Sequence, residues 1–374
     1  MFPKVSSFIF TVCQLGAEAA LKAEIVRNHP TLKFAFSRPG FLTFKSEKPV
    51  SGNFELNSIF SRAYGLSFGK IKGSDLPAEV VEIIRQWGDS VSAIHFWERD
   101  LHIPGEEPKG FLPGKFVDTI QPRLFNAIRA TQPKMTVNPR TAVSNGTGIL
   151  DLVVVEPEEW WVGYHLHGPF HSPFPGGRAQ IDMPTAAPSR AFIKMEEAIT
   201  WSQAPLKPGD IAVELGSAPG GAVYSLLMRG LKVVGIDPAQ MDPKILKHRD
   251  FMHIRSPVSD VLREDLPERV DWLVLDMNVS PAISIFAVDR LVTRMKSSLL
   301  GVLLTVKLNQ WKMAEQIPSM LDHLRAMGIS QLRATQLSNN RREIFIYGLT
   351  RKGLQRRTNT TLKITGQDRR KANL

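Results

Sequence analysis

The sequence predicts an α/β chain whose C-terminal half is a mostly parallel sheet with helices on both faces, preceded by a smaller α+β region. Three observations carry that expectation. Apolar runs alternate with helical segments between about residues 171 and 350, the pattern of a sheet wound on both faces. Within that stretch, Ile211-Ala-Val-Glu-Leu215 stops at Gly216-Ser-Ala-Pro-Gly-Gly221, a helical segment follows through Ala222–Met228, and Val233-Val-Gly-Ile-Asp237 ends on a carboxylate. Near the N-terminus the order of patterns is strand, helix, strand, strand.

Taken in order, Phe8–Val12 reads as a strand and Gly16–Ile25 as an amphipathic helix. Phe34–Phe36 and Phe41–Phe44 read as the two strands after it, completing a small ferredoxin-like pattern. Helices are predicted near Pro77–Trp87 and Gln121–Ala130. A hairpin is predicted from Leu150–Val155 and Trp160–Tyr164, with Pro157-Glu-Glu159 at its turn. Of the adjacent Trp160 and Trp161, one is expected in the core, because neighbouring strand residues face opposite ways. Gly168–Gly177, rich in proline and glycine, reads as a rigid connector. In the C-terminal half, Ser189 is the expected N-cap of a helix carrying Lys194. Asp276 ends the strand Trp272–Leu275, Lys307 sits in the apolar Gly301–Leu308, and Glu343 opens Ile344–Tyr347. Pro318 should restart or kink the helical stretch Ala314–Met327.

The glycine-rich turn and Asp237, 21 residues after Gly216, make a nucleoside-binding unit. Dinucleotide binding favours G-x-G-x-x-G, whose middle glycine admits a pyrophosphate. Here the spacing is G-x-x-x-G-G with Pro219 inside the turn, which suits a ligand without a diphosphate, such as S-adenosylmethionine. A nicotinamide-dependent dehydrogenase is disfavoured on the same spacing. Charged groups at buried-sheet positions belong at strand ends or in a cleft, so Lys194, Asp276, Lys307 and Glu343 stand out together.

In that order, with the glycine-rich turn between the first two, these four residues resemble the Lys-Asp-Lys-Glu tetrad of FtsJ-like ribose 2′-O-methyltransferases. The segments Pro184–Ala198, Asp276-Met-x-x-x-Pro281, Val306-Lys-Leu308 and Arg341-Arg-Glu343 are similar to those of RlmM-type enzymes, which methylate a cytidine ribose of large-subunit ribosomal RNA. The strong likeness covers about residues 160–350. It implies a Rossmann-like methyltransferase domain over 171–350, a ferredoxin-like subdomain over 1–65 and a THUMP-type RNA-binding subdomain over 66–170. It also implies Lys194, Asp276, Lys307 and Glu343 as catalytic residues. S-adenosylmethionine would be held by Gly216, Ser217, Ala218, Pro219, Gly220, Gly221, Asp237, Asp260 and Asp276. The sequence departs from the pattern at Ser217, where a small apolar residue is usual, at Asn309, where RlmM-type enzymes carry proline, and around Asp260, where the alignment is loose. Another RNA such as tRNA, or a silent RNA-binding role, are the alternatives.

The chemistry suits these residue types. A ribose 2′-hydroxyl is a weak nucleophile, so it must be held in line with a methyl sulfonium and relieved of a proton. Desolvation and a nearby Lys194 would disfavour the ammonium form of Lys307; the resemblance then implies Lys307 as the base, with Asp276 orienting it, Lys194 stabilising the oxyanion and Glu343 anchoring the lysines. Two nearby carboxylates would do the opposite, leaving Lys307 charged to act by electrostatics. Both readings stay open on sequence.

Composition agrees with a globular protein that meets a polyanion: 43% hydrophobic residues, 22% charged, a formal net charge of +11 over 374 residues. A single cysteine, Cys13, excludes an internal disulfide and fits a reducing, cytoplasmic setting. No apolar run approaches the roughly 20 residues of a membrane span. RNA is the expected partner, with a monomer favoured. His165, His167 and His171 could suggest a metal site, but His165 and His167 alternate along a strand and no Cys or further His cluster completes a closed shell, so no metal site is expected. The tail Arg351–Leu374, with eight Lys/Arg and one acid, is expected to be disordered and to touch phosphates.

Overall fold

The computed structural model describes residues 5–71, 75–106, 115–137, 142–295 and 297–359. The chain divides into two compact units, Met1–Gln180 and Ile181–Leu374.

The first unit runs β1 (Val5–Val12), α1 (Glu18–Asn28), β2 (Leu32–Arg38), β3 (Phe41–Ser51), β4 (Ala63–Ile71), α2 (Leu76–Trp87), β5 (Ala93–Glu98), α3 (Lys115–Thr131), β6 (Gly148–Glu156) and β7 (Glu159–Leu166). Its strands form one sheet in the order β2-β3-β1-β4-β7-β6-β5. The part β4-β1-β3-β2 has the order of a ferredoxin-like unit, but the chain between β3 and β4 is irregular where that unit has its second helix. The boundary expected at residues 65/66 falls inside β4, and the sheet continues through it into β7, β6 and β5. β5 was not predicted; all six of its residues are buried, and its pairing with β6 is the sheet's one parallel contact.

Side chains alternate across this sheet. Ile94, Phe96, Leu150, Leu152, Trp160 and Val162 face one core, to which α2 and α3 contribute Val80, Ile84, Leu124 and Ile128. Trp97, Val153 and Val155 face the other way with Phe10, Val12 and Phe41. Both tryptophans of the hairpin are packed: Trp160 lies 5.1 Å from the Phe96 ring, and Trp161 lies 5.1 Å from the rings of both Phe36 and Phe41. The connector lies in this unit. Trp97 sits so close to Gly176, whose φ is +59°, that no side chain fits there. Just past it Arg178 pairs with Asp100, which also binds Arg62 at 2.8 Å.

The second unit runs α4 (Ala191–Ser202), β8 (Ile211–Leu215), α5 (Gly221–Met228), β9 (Lys232–Ile236), α6 (Pro243–Leu246), β10 (Phe251–Ile254), β11 (Trp272–Asp276), α7 (Pro281–Met295), β12 (Gly301–Lys307), α8 (Ile317–Ala326), β13 (Gln331–Thr335) and β14 (Glu343–Leu349). The sheet order is β10-β9-β8-β11-β12-β14-β13, with β14 antiparallel to both of its neighbours and the remaining pairs parallel. The order reverses between β8 and β11, and ligands of such sheets lie outside the carboxyl ends of the strands at that point. Pro318 falls in the first turn of α8, where its missing N–H costs nothing, so the helix starts afresh there.

The expected disorder from Arg351 onward is corrected for its first part: residues 351–359 form a helix, α9. Leu354 packs against the core of the second unit, and Arg356 binds the buried Asp210 at 2.8 Å. That carboxylate also accepts from Trp272 Nε1 at 3.0 Å. Amphipathic anchoring of one leucine and one ion pair was invisible in a run dominated by basic residues. Residues 360–374 lie outside the described residues.

Candidate active site

β8 ends at Leu215, and the chain turns through Gly216 with φ +80°. A Cβ on Gly216 would lie 2.6 Å from the Asp276 carbonyl, so the neighbouring strand end requires glycine there. Gly220, at φ +114°, faces Ile245 and Met241, and Gly221 abuts Ser189. Ser217 is buried, its hydroxyl 3.6 Å from Met241 Sδ. The turn's glycines therefore serve close packing of the protein on itself, and Gly216 and Ala218 are the turn residues that line the adjoining cavity.

That cavity, about 590 Å³, is lined on one side by Gly216, Ala218, Ile236, Asp237 and Asp276, and on the other by Met277, Asn278, Ile283 and Phe286. Asp237 follows the end of β9. Its two oxygens accept the Ala218 and Ala239 N–H groups at 3.0 and 2.8 Å, which fixes the carboxylate at the cavity wall with lone pairs remaining for a ligand hydroxyl. The structure does not bring Asp260 into this wall. It is exposed and accepts from Ser259 Oγ at 2.8 Å. Pro257, Val258 and Ser259 line the cavity instead. Arg290 holds that loop, donating to the carbonyls of Val258, Ser259 and Val261. Sequence reasoning missed Phe286 and Arg290, which are four residues apart on one helix and become neighbours of the loop only in the fold.

A second cavity, about 470 Å³, is lined by Ser189, Arg190, Lys194, Lys307, Asn309, Asn339, Arg341, Arg342 and Glu343. Asn278 lines both cavities. Where they approach, the four charged residues singled out above converge. Lys194 comes from the first turn of α4; Ser189, one residue before the observed N-cap Arg190, accepts the Ala191 N–H at 3.4 Å. Asp276 and Lys307 end the parallel neighbours β11 and β12, and Glu343 opens β14 directly opposite Lys307. Lys194 Nζ lies 2.5 Å from Glu343 Oε1 and 3.8 Å from Asp276 Oδ2. Lys307 Nζ lies 3.1 Å from Asp276 Oδ1 and also pairs with Glu343 Oε2. Each lysine thus bridges both carboxylates.

The charges hold one another. Burial pulls the Lys307 ammonium toward release of its proton, but Asp276 and Glu343 outweigh burial and leave its pKa above the usual lysine value. Burial likewise disfavours the Glu343 carboxylate, and the two lysines overcome it, so its pKa lies below the usual glutamate value. The resting network is two ammonium groups and two carboxylates. Of the two readings open on sequence, the structure favours a charged Lys307.

A further group, not recognised in the sequence, supports this arrangement. Glu197, buried on α4 one turn beyond Lys194, accepts from the backbone and side chains of Ser338 and Asn339 at 2.6–3.0 Å. It ties down the loop that delivers Asn340, a donor to Glu343 at 3.2 Å, and Glu343 itself. Glu214, inside β8, is fully buried. Burial, then the charges of Asp276 and Asp237, raise its pKa well above the usual glutamate value.

Residues 187–334 match the family model of FtsJ-like methyltransferases. The chain is similar to the ribosomal RNA large subunit methyltransferase M of Laribacter hongkongensis, with 28% identity over 322 residues, 82% of this chain and 85% of the relative. It is 40% identical over 115 residues to the protein of that name from Alkalilimnicola ehrlichii, a match spanning 29% of this chain and 31% of the relative. With that of Sodalis glossinidius it shares 29% identity over 210 residues, 53% of this chain and 56% of the relative.

Proposed function

We propose that this chain, an FtsJ-like methyltransferase of the ribosomal RNA large subunit methyltransferase M type, methylates a ribose 2′-hydroxyl in large-subunit ribosomal RNA. S-adenosylmethionine is the methyl donor. The nucleoside expected from the resemblance is a cytidine. One observation carries the reading: two lysines and two carboxylates interlock at the approach of two cavities that share Asn278.

The larger cavity suits the cofactor, with Asp237 toward the ribose hydroxyls and the apolar Ile236, Ile283 and Phe286 toward the adenine. Its lining by Asp276 places a carboxylate near a cationic sulfonium. Bound there, S-adenosylmethionine supplies an electrophilic methyl group. The smaller cavity suits the RNA, with Arg190, Arg341 and Arg342 as phosphate-binding groups around the lysines. Bound in the larger cavity, the cofactor would supply its methyl group to the 2′-oxygen and leave as the thioether, while Asp276 or water would take the hydroxyl proton. Lys307 and Lys194 act as ammonium groups that orient the hydroxyl and offset negative charge on its oxygen. Asp276 and Glu343 keep both cations in place. We read residues 1–170, including the region that resembles a THUMP-type subdomain, as the part that grips the RNA.

The test is transfer of labelled methyl groups from S-adenosylmethionine to large-subunit ribosomal RNA lacking its own 2′-O-methyl groups, with Lys307→Ala as control. Label at one alkali-resistant linkage, absent with the control, is expected. Label without alkali resistance contradicts ribose methylation.

A further inference from the structure

The first unit assembles a cluster that the sequence kept apart. His95 lies on β5 directly opposite Asp151 on β6. Asp151 is opposite Gly163 on β7, so His165, two residues on, projects from the same face. This is the face of Trp97 and Val153, away from α2 and α3. All three residues are buried, and one donor atom from each lies within 4.8 Å of the others. His165 Nδ1 is 2.6 Å from Asp151 Oδ2, and His95 Nδ1 is 3.9 Å from Asp151 Oδ1. The connector closes over them: the His171 ring stacks on His165 at 4.4 Å and on Tyr64 at 4.2 Å. His167 lies beside them, its ring 5.8 Å from that of His165.

This cluster is poorly accounted for as packing alone. The Nε2 atoms of His95 and His165 and the Nδ1 of His167 are buried with no hydrogen-bond partner among the described residues. Buried polar atoms are rarely left so. Asp151 is a completely buried carboxyl, and no lysine or arginine among the described residues pairs with it. A divalent cation would give the carboxyl of Asp151 a charge partner and draw on one imidazole nitrogen from each histidine of the cluster.

We propose that His95, Asp151 and His165 form a binding site for a divalent transition-metal ion of the zinc class, with His167 as the nearest further imidazole. Nitrogen and carboxylate donors without thiolate are a normal zinc set. The fit needs small shifts in both directions, the 2.6 Å contact opening and the 3.9 Å contact closing, because ligand atoms in a tetrahedral zinc site stand about 3.3 Å apart, given bonds of about 2.0 Å. The metal would fasten the three-stranded edge β7-β6-β5 beneath the connector. It has no place in the methyl transfer, whose groups all lie in the second unit. This revises the expectation of no metal: His165 and His167 were visible locally, but His95 and Asp151 reach them only through strand pairing.

The test uses the full-length, tag-free chain, stripped with a chelator and loaded separately with Zn²⁺ and Co²⁺. After gel filtration, about one ion per chain is expected, with a rise in melting temperature and, for Co²⁺, visible d–d absorption of a nitrogen- and oxygen-ligated ion. The variant His95→Gln/Asp151→Asn/His165→Gln should lose the retained ion and the spectrum while still binding S-adenosylhomocysteine. Retention well below one ion per chain by the unaltered protein overturns the proposal, whatever the variant does. Equal retention and an unchanged cobalt spectrum in the variant overturn it as well. If the variant fails to fold, imidazole nitrogen couplings in pulsed electron paramagnetic resonance of the Cu²⁺-loaded unaltered protein decide, their absence counting against the site.

Discussion

Replacing Lys307 with alanine removes one of two cations from a balanced network of four charges. Asp276 loses its 3.1 Å partner and keeps Lys194 at 3.8 Å, while Glu343 keeps Lys194 at 2.5 Å and Asn340 at 3.2 Å. Breaking a buried pair by removing one partner costs about 3–5 kcal/mol when the other charge is stranded. Here neither carboxylate is stranded, so a loss of about 1–3 kcal/mol is expected, and melting falls by about 2–12 °C for a unit of this size. The methyl-transfer step should suffer far more. Loss of orientation and of a charge at the developing oxyanion lowers the single-turnover rate by about 10²–10⁴. Cofactor affinity should change by less than about threefold, because Lys307 does not line the larger cavity. Single-turnover methylation, calorimetric binding of S-adenosylhomocysteine and thermal melting separate the three effects. A rate within tenfold of the unaltered enzyme, or a loss matched by an equal loss of cofactor affinity, would refute the reasoning.

Further predictions follow from the same geometry. Since the Lys307 pKa is raised, its stabilisation is fully present below the ordinary lysine value of about 10.4 and is lost as pH climbs through the higher folded value. The lowered pKa of Glu343 makes its contribution present above about 4.3 and lost as pH falls through the lower folded value. The single-turnover rate should therefore be flat between about pH 6.5 and 9; a tenfold rise per pH unit there would mean that a neutral lysine is required. Glu197→Ala leaves the amides of Ser338 and Asn339 without their acceptor, and should lower stability by about 2–4 kcal/mol and slow methylation by loosening the loop to Glu343. Unchanged melting and rate would show that the loop holds itself. Truncation after Thr350 removes Leu354 and Arg356 from the core and should lower the melting temperature. Truncation after residue 359 should reduce the salt dependence of RNA binding by up to about 0.7–0.9 per lost phosphate contact. Equal effects of the two truncations on melting would discount α9.

The catalytic half was legible because its signals are local. Asp276, Lys307 and Glu343 each bound an apolar run at a strand end, and the glycine-rich turn marks the strand–helix junction. What the sequence could not supply was distance. Whether Lys307 is neutral or charged depends on its carboxylates being closer than any like charge, which follows from the register Lys307 opposite Glu343. Nor could the sequence show that Gly216 and Gly221 leave room for Asp276 and Ser189, since these neighbours meet only in the fold. β5 was overlooked because Ala93-Ile-His-Phe-Trp-Glu98 is buried on both faces and shows no alternation. Its omission also hid the histidine cluster, since His95 is brought to Asp151 by a parallel pairing of strands far apart in the chain.

The most direct measurement is the position of the new methyl group within the nucleoside. Ribosomal RNA methylated by the purified chain would be digested to nucleosides and fragmented by mass spectrometry. The account predicts that the mass added by the methyl group travels with the sugar, so that an unmodified base ion is released. A methylated base ion would contradict ribose methylation and remove the role assigned here to Lys194, Asp276, Lys307 and Glu343.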